Sequence, residues 1–332
     1  MSNELRHLSP EFSIDEAKKV ANEYYKLKEF VSQLPSERDQ NFLFQNDDQT
    51  KFILKISNID EDPSVLDMQI CAIQCFNSQL RTVPSLDGQM IITYKNHYIR
   101  LVTYIPGTPL ARFQPHSRKL LVNLGKTLGQ LDQSLEKLDH PSMNRDLYWN
   151  MNNAEKIINA FKYLITEKNR YEIIEDILRR WLKFVRPCLP SLRTSVIHND
   201  ANDYNIIVHD EETVNLIDFG DLCRSYVVSE VAIACAYVML DKKDPISAAS
   251  YVLCGYQQIY PLETIEADLV YYFILMRLAM SVTISAHQKQ SQPNNEYIVI
   301  SEKPAWSLLE KLNDLDFDSV QQTFRSVCNS SN

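Results

Sequence analysis

The sequence predicts an α+β chain of two lobes: a small N-terminal antiparallel sheet with a few helices, then a larger, mainly helical C-terminal lobe. Three observations predict it. Up to residue 104, short alternating apolar runs are punctuated by turn residues. Ile105-Pro106-Gly107-Thr108-Pro109 then breaks the pattern. Beyond it, apolar residues recur at helical spacings of three and four. The lobes are therefore placed at 1–104 and 105–332.

Taken in order, Ser13 with Glu16 forms a capping box that opens a helix over Ile14–Tyr25. Glu29–Gln33, Asn41–Gln45 and Lys51–Ile56 read as strands, the last two joined by a turn at Asn46–Thr50. Pro63 opens a helix reaching about Leu80. Met90–Tyr94 and His97–Tyr104 are strands turned by Lys95-Asn96. In the second lobe the periodicity predicts helices over Ser117–Leu138, Ala154–Thr166, Tyr171–Val185, Val227–Leu240, Ile246–Gln258, Ile265–His287 and Lys303–Asn313. One stretch interrupts them: Val196–Asp218 reads as two short strands joined by His209-Asp210-Glu211-Glu212, turn formers with no further role.

The chain has 332 residues, and 45% of them are hydrophobic, enough for a core of this size. A net charge of -9 argues against broad binding to nucleic acid or anionic membrane, which needs a basic surface. It leaves room for a nucleotide, whose phosphates need only a few cations, a metal and backbone amides. The seven cysteines are odd in number and mostly lie in apolar helical stretches, as reduced thiols do. Cys71 and Cys75 are one helical turn apart, with no His or Cys set to complete a metal site. The N-terminus lacks the apolar run of a signal peptide. Val227–Leu240 and Leu269–Ile284 are interrupted by Glu230 and Arg277 and fall short of a spanning helix of about 20 residues. The expectation is a cytoplasmic protein.

The chemistry lies in His198-Asn199-Asp200-Ala201-Asn202-Asp203-Tyr204-Asn205 and, after the turn, Ile217-Asp218-Phe219-Gly220-Asp221. A hairpin sets its outer ends side by side, so Asn205 at the start of one strand meets Asp218 at the end of the other. Asp200 lies on the loop that feeds the same edge. An amide oxygen and a carboxylate form a hard ligand pair that suits Mg²⁺, which fills its shell with water and substrate phosphates. Asp200 stands beyond them, where it can accept a hydroxyl proton. An oriented hydroxyl, an in-line phosphate and metal charge are nearly all that phosphoryl transfer needs. The H-x-D-x-x-x-x-N and D-F-G spacing matches the kinase signature at every fixed position except its Arg.

These segments resemble the aminoglycoside phosphotransferase and choline kinase family, which has a protein-kinase-like two-lobed fold. The middle residue of the family's H-G-D triplet is here Asn199, which requires a left-handed Asn. The resemblance implies Asp200 as catalytic base or hydroxyl orienter, Asn205 and Asp218 as Mg²⁺ ligands, and His198 as the structural holder of the loop. Asn202 stands where protein kinases carry a phosphate-contacting Lys, which argues against a protein substrate. A narrower resemblance spans residues 28 to 310. It is carried by Asp39-Gln40-Asn41-Phe42, Leu54-Lys55-Ile56-Ser57-Asn58, Arg100–Gly107, Asn202–Asn205, Asp218–Asp221 and Ser229–Ile233. It is to the members that phosphorylate 5-hydroxy-L-lysine, and it implies GTP as donor. No residue here separates GTP from ATP on physical grounds.

On the nucleotide side, Lys55 fits the lysine that contacts the α- and β-phosphates. Its helix partner is Asp67 or Gln69, where kinases use Glu. No glycine precedes Gly88, so the phosphate loop falls to Leu34–Gln40, with Ser36 and Arg38 as candidates. Thr103, Tyr104 and Ile105 are expected to read the purine edge by backbone contacts. An amino-acid acceptor with two ammonium groups needs acids, for which Asp203, Asp221 and Glu230 stand near the motif, and a cation for its carboxylate; Glu230 also sits where related kinases place a structural acid. Arg277, on an apolar helix, is either that cation or a structural partner of Glu230. Trp149 is a candidate wall of the site. Tyr204 and Tyr226 line it or belong to the core. Choline, ethanolamine, homoserine or an aminoglycoside with ATP is the alternative acceptor set. A partner-binding pseudokinase is the third reading, against which the intact Asp200, Asn205, Asp218 and Lys55 weigh.

Overall fold

The computed structural model describes residues 10–36, 38–291 and 301–329. The N-terminal segment on which the expectation of no signal peptide rests lies largely outside them, as does Glu37 of the expected phosphate loop. The chain forms two compact units: Met1–Pro106 with Leu138–Met143, and Gly107–Lys137 with Asn144–Asn332. The division follows Pro106, and a short return segment joins the first unit.

In the first unit, α1 (Ile14–Tyr25) begins with the expected capping box and ends on Lys26 in the left-handed region. β1 (Glu29–Leu34), β2 (Gln40–Gln45) and β3 (Lys51–Ile56) precede α2 (Pro63–Phe76), which Asp62 caps. α2 stops short of Leu80 because Asn77 takes the left-handed C-cap position. β4 (Thr82–Val83), β5 (Ile92–Tyr94) and β6 (His97–Thr103) complete an antiparallel sheet ordered β1-β2-β3-β6-β4, with β5 on β6. Ala17, Val20 and Ala21 of α1, at helical spacing, pack with Phe42, Phe44, Leu54, Ile56, Ile99 and Leu101 into one core. Because side chains alternate along a strand, Lys55 belongs to the opposite face, in register with Asn41 and Arg100.

In the second unit, β7 (Thr108–Pro109), α3 (Arg118–Leu135), α4 (Ala154–Phe161) and α5 (Lys168–Arg180) precede the strands. β8 (Thr194–Ile197), β9 (Ile206–Val208), β10 (Val214–Leu216) and β11 (Cys223–Tyr226) follow, then α6 (Val227–Val238), α7 (Pro245–Gln257), α8 (Thr264–Ser291), α9 (Glu302–Asn313) and α10 (Phe317–Asn329). Sequence periodicity places neither the two-residue β4 nor α10. β9 pairs with β10 as the expected hairpin and with β7 on its other edge, and β8 pairs with β11. α8 runs through the core and packs against α4, α5, α6, α9 and α10. It is longer than the apolar run Leu269–Ile284 implied, and Thr264–Gln290 has the length and hydropathy of a spanning helix. Yet 94% of its most apolar window is buried inside the protein. α3 and α7 cross closely through glycines: a Cβ on Gly125 would lie 2.0 Å from the Val252 carbonyl oxygen, and one on Gly255 1.9 Å from that of Val122. All seven cysteines are unpaired thiols.

Candidate active site

The second unit gathers the catalytic motif around β8, the β9–β10 hairpin and the start of β11. His198, fully buried, follows β8. Its Nε2 lies 3.0 Å from the Ile217 carbonyl oxygen, and its Nδ1 accepts the Asp200 N–H at 3.3 Å. The two contacts define one tautomer, with the proton on Nε2. The ring stands edge-on to Phe219 of the D-F-G run at 4.8 Å. One imidazole thus ties the catalytic loop to the segment carrying Asp218. Asn199 has φ of +66°, the left-handed conformation its place in the triplet requires. Its N–H donates to Glu230 Oε2 at 3.0 Å.

Asp200 receives three donors. Asn202 Nδ2 and Asn205 Nδ2 reach its Oδ2 at 3.0 and 2.7 Å, and Arg277 Nη2 reaches its Oδ1 at 3.1 Å. Burial and the charge of Asp221 push its carboxyl up to about 8, against the pull of Arg277 and Asn202. Asn205 also donates Nδ2 to the Asp200 carbonyl oxygen at 3.0 Å, so its amide nitrogen faces acceptors only and Oδ1 is the atom left to bind a cation. The Ile217 N–H donates to the Asn205 carbonyl at 3.0 Å, continuing the hairpin and placing Asp218 one residue beyond that pairing. Asp218 has φ of +60° and an exposed side chain, and its charge is felt at Asp200. An amide oxygen and an exposed carboxylate at one hairpin end fit a hard divalent ion that keeps most of its own water. Among the described residues no group of three or more His, Cys, Asp or Glu forms a metal cage.

Several expected roles change. Glu230 is fully buried, and its pKa is raised by that burial, against His198 and the Asn199 amide. It holds loop backbone and cannot meet a ligand's amine. Arg277 reaches Asp200, not Glu230; at 1% exposure, with Nη1 on the Trp149 carbonyl at 3.3 Å, it is not a free clamp for a substrate carboxylate. Asp203 has one buried oxygen without a hydrogen-bond partner. Its carboxyl is pushed up to about 6 by burial and the Asp241 charge, with Lys242 opposing. Asp221 is buried beside Asp200 and Arg277 and acts on both electrostatically. Trp149 is half-buried, its ring 4.6 Å from the Arg277 guanidinium carbon. Tyr204 lies near Arg112, and Tyr226 packs edge-on to Phe273.

In the first unit, Gln69 Oε1 accepts from Arg100 Nη1 at 2.8 Å, and Asp67 lies 3.2 Å from His140 Nε2, so each candidate helix partner of Lys55 has another partner. The Thr103 and Tyr104 N–H groups are spent on the carbonyls of Arg81 and Lys51, at 2.9 and 3.0 Å. Neither N–H is therefore open to a purine, and Ile105 lies outside these two pairings. Ser36 Oγ accepts the Asp39 N–H at 3.3 Å, shaping the loop that also carries Arg38.

Sequence reasoning missed Tyr237, whose hydroxyl is 3.4 Å from Arg277 Nη2, and Asp132, fully buried on α3 and hydrogen-bonded by Tyr256. Asp132 left a signal: it falls in the apolar stripe with Leu128, Leu131 and Leu135.

Fold and site together define a phosphotransferase. Residues 31–261 match the model of the APH phosphotransferase enzyme family, so the chain belongs to that family. It is a small-molecule kinase with an alcohol group as acceptor and a nucleotide as donor. The hydroxylysine kinase of Mus musculus is 28% identical, over 88% of this chain and 86% of that protein. That of Xenopus laevis is also 28% identical, over 98% and 96%. Among solved structures, amicoumacin kinase in complex with AMP-PNP, Ca²⁺ and Ami aligns with a TM-score of 0.68 at 15% identity, over 93% of this chain and 97% of that one. A choline/ethanolamine kinase family protein from Mesorhizobium loti aligns at 0.64 and 10%, over 94% and 98%. At these identities the structures attest the protein-kinase-like fold.

Proposed function

We propose that this kinase transfers the γ-phosphate of GTP to the hydroxyl of 5-hydroxy-L-lysine with Mg²⁺. The observation that carries the reading is the Asp200 carboxylate, fixed by three donors beside Asn205 and Asp218. The full-length likeness to hydroxylysine kinases supports the acceptor, and GTP follows only from the family resemblance of the sequence motifs. Asp200 orients the acceptor hydroxyl and takes its proton as the oxygen attacks phosphorus. Asn205 Oδ1 and the Asp218 carboxylate would hold Mg²⁺, which when bound offsets the phosphate charge. Lys55, with Ser36 and Arg38, is assigned to the phosphates. The acidic surroundings of Asp200, chiefly Asp218 and Asp221, favour an acceptor carrying ammonium groups. The seven unpaired thiols support a reducing compartment, the cytoplasm.

The test is nucleotide consumption with Mg²⁺ and GTP or ATP against a panel of amine alcohols. Hydroxylysine with GTP should give the highest kcat/KM. Asp200→Asn should lower kcat by about 10²–10⁴-fold while nucleotide still binds. Transfer to choline, ethanolamine or homoserine without transfer to hydroxylysine would overturn the assignment of acceptor. Nucleotide binding with turnover equal in wild type and Asp200→Asn would overturn the catalytic one.

A further inference from the structure

The two oxygens of Asp200 are not equivalent. Oδ2 accepts from Asn202 at 3.0 Å and Asn205 at 2.7 Å, whereas Oδ1 accepts from Arg277 alone, at 3.1 Å. A carboxylate oxygen offers two lone-pair sites. Oδ2 is therefore full, and the one vacant site lies on Oδ1, beside the guanidinium. Arg277 is itself rigidly seated. It is 1% exposed, donates Nη1 to the Trp149 carbonyl at 3.3 Å, and has Tyr237 Oη 3.4 Å from Nη2. Its guanidinium carbon lies 4.6 Å from the Trp149 ring and 5.6 Å from that of Tyr237. Trp149 is fixed through the next residue: buried Asn150 donates to the Arg224 carbonyl at 3.2 Å and accepts from Ser225 at 2.8 Å.

We propose that Arg277 is the positioning residue of the transfer step, fixing Oδ1 of Asp200 as the oxygen that meets the acceptor hydroxyl. This rests on the reading of Asp200 as the catalytic carboxylate. In the step, the acceptor oxygen bonds to the γ-phosphorus as the bond from that phosphorus to the β,γ-bridging oxygen breaks. The nucleoside diphosphate leaves with that electron pair, and the hydroxyl proton passes to Oδ1. Without Arg277 the carboxylate keeps donors on one oxygen only and turns about them, so the vacant site loses its aim. The same seat bears on specificity. Paired aromatic faces are a surface that takes a quaternary ammonium. Here Trp149 and Tyr237 are filled by the protein's own cation, so an acceptor's ammonium is met by carboxylates instead.

The test compares Arg277→Met and Arg277→Lys with wild type in kcat and KM. It uses the best acceptor of the panel and also the slow hydrolysis of nucleotide by water, with thermal midpoint and nucleotide affinity as folding controls. Arg277→Met should lose about 10²-fold in kcat, the scale of a catalytic group misplaced by an ångström, with the nucleotide KM unchanged. Arg277→Lys, which keeps charge but not the planar fork, should recover about tenfold of that loss. In an Asp200→Asn background the Met substitution should have no further effect on kcat. A folded Arg277→Met with kcat within about threefold of wild type, a loss confined to acceptor KM, or an equal loss in the Asp200→Asn background each overturns the proposal. If Arg277→Met does not fold, Arg277→Lys at full kcat does so. A wild type inactive on hydroxylysine overturns the acceptor assignment alone, since the Arg277 comparison is still read on the hydrolysis by water.

Discussion

Gly125→Ala puts one methyl into the crossing of α3 and α7. That carbon would lie 2.0 Å from the Val252 carbonyl oxygen and 2.7 Å from the Tyr256 nitrogen, where ordinary contact begins near 3.4 Å. Both obstacles are backbone, so no side chain can rotate away and the helices must part by roughly an ångström. A gap of that size forfeits about a quarter to a half of the dispersion energy across the contact. Overpacking of this kind costs about 1–3 kcal/mol, and the upper end applies when backbone must move. The better helix propensity of Ala returns about 1 kcal/mol. For a chain of this length the net loss of about 2 kcal/mol lowers Tm by roughly 3 °C. Because α3 also packs against β8 and β10, kcat should fall below the melting transition. Gly129→Ala is the milder comparison: its Cβ would lie 2.9 Å from Ile259 Cβ and 3.2 Å from the Tyr256 carbonyl oxygen, so the chain has less far to move than at Gly125. Calorimetry of the two variants decides. A Gly125→Ala protein as stable as wild type, or a Gly129→Ala protein that loses as much, would refute the reasoning.

Three further expectations follow from the same geometry. Asn199→Gly should keep kcat near wild type, whereas Asn199→Val should lose about 1–2 kcal/mol or more because a β-branched residue resists φ of +66°; urea titration and kcat report it. Asn205→Ala should raise the Mg²⁺ concentration for half-maximal activity by about tenfold or more, and chelation of divalent ions should stop turnover of wild type, both read by a magnesium titration. Lys95 and Ser13 hold the Glu16 carboxyl down to about 2. A depressed acid stabilises the fold above its unfolded pKa and loses that contribution as pH falls through the folded value. Wild type should therefore exceed Glu16→Gln in thermal midpoint at pH 7, the gap narrowing below pH 4.5 and closing near 2.

The catalytic motif is legible because its parts are local. Loop, hairpin and D-F-G run follow one another, and an antiparallel register converts their spacing into proximity. The capping box at Ser13 and the strands around Lys55 are legible for the same reason. What stays hidden depends on distant chain. Arg277 meets Asp200 across 77 positions, and nothing in the apolar pattern of α8 says which acid it faces. Likewise, that Glu230 would hold the Asn199 amide depends on how α6 packs beneath the loop. Asp67 is the better charge match for Lys55 and Gln69 the alternative, and the sequence does not show that His140 and Arg100 also engage them. β4, two residues long, lies below any periodicity.

α8 carries a hazard as well as a core. Between Thr264 and Gln290 it has a mean hydropathy of 1.6 in its most apolar window, and in the folded protein 94% of that window is buried among other elements. During synthesis, before α9 and α10 exist to cover it, that segment is available to an insertion machinery that reads hydrophobicity. A lone guanidinium near the middle of such a helix raises the cost of entering lipid by about 2.5–3.5 kcal/mol. The residue that steadies Asp200 in the finished protein thus also weighs against the nascent chain being misrouted into lipid.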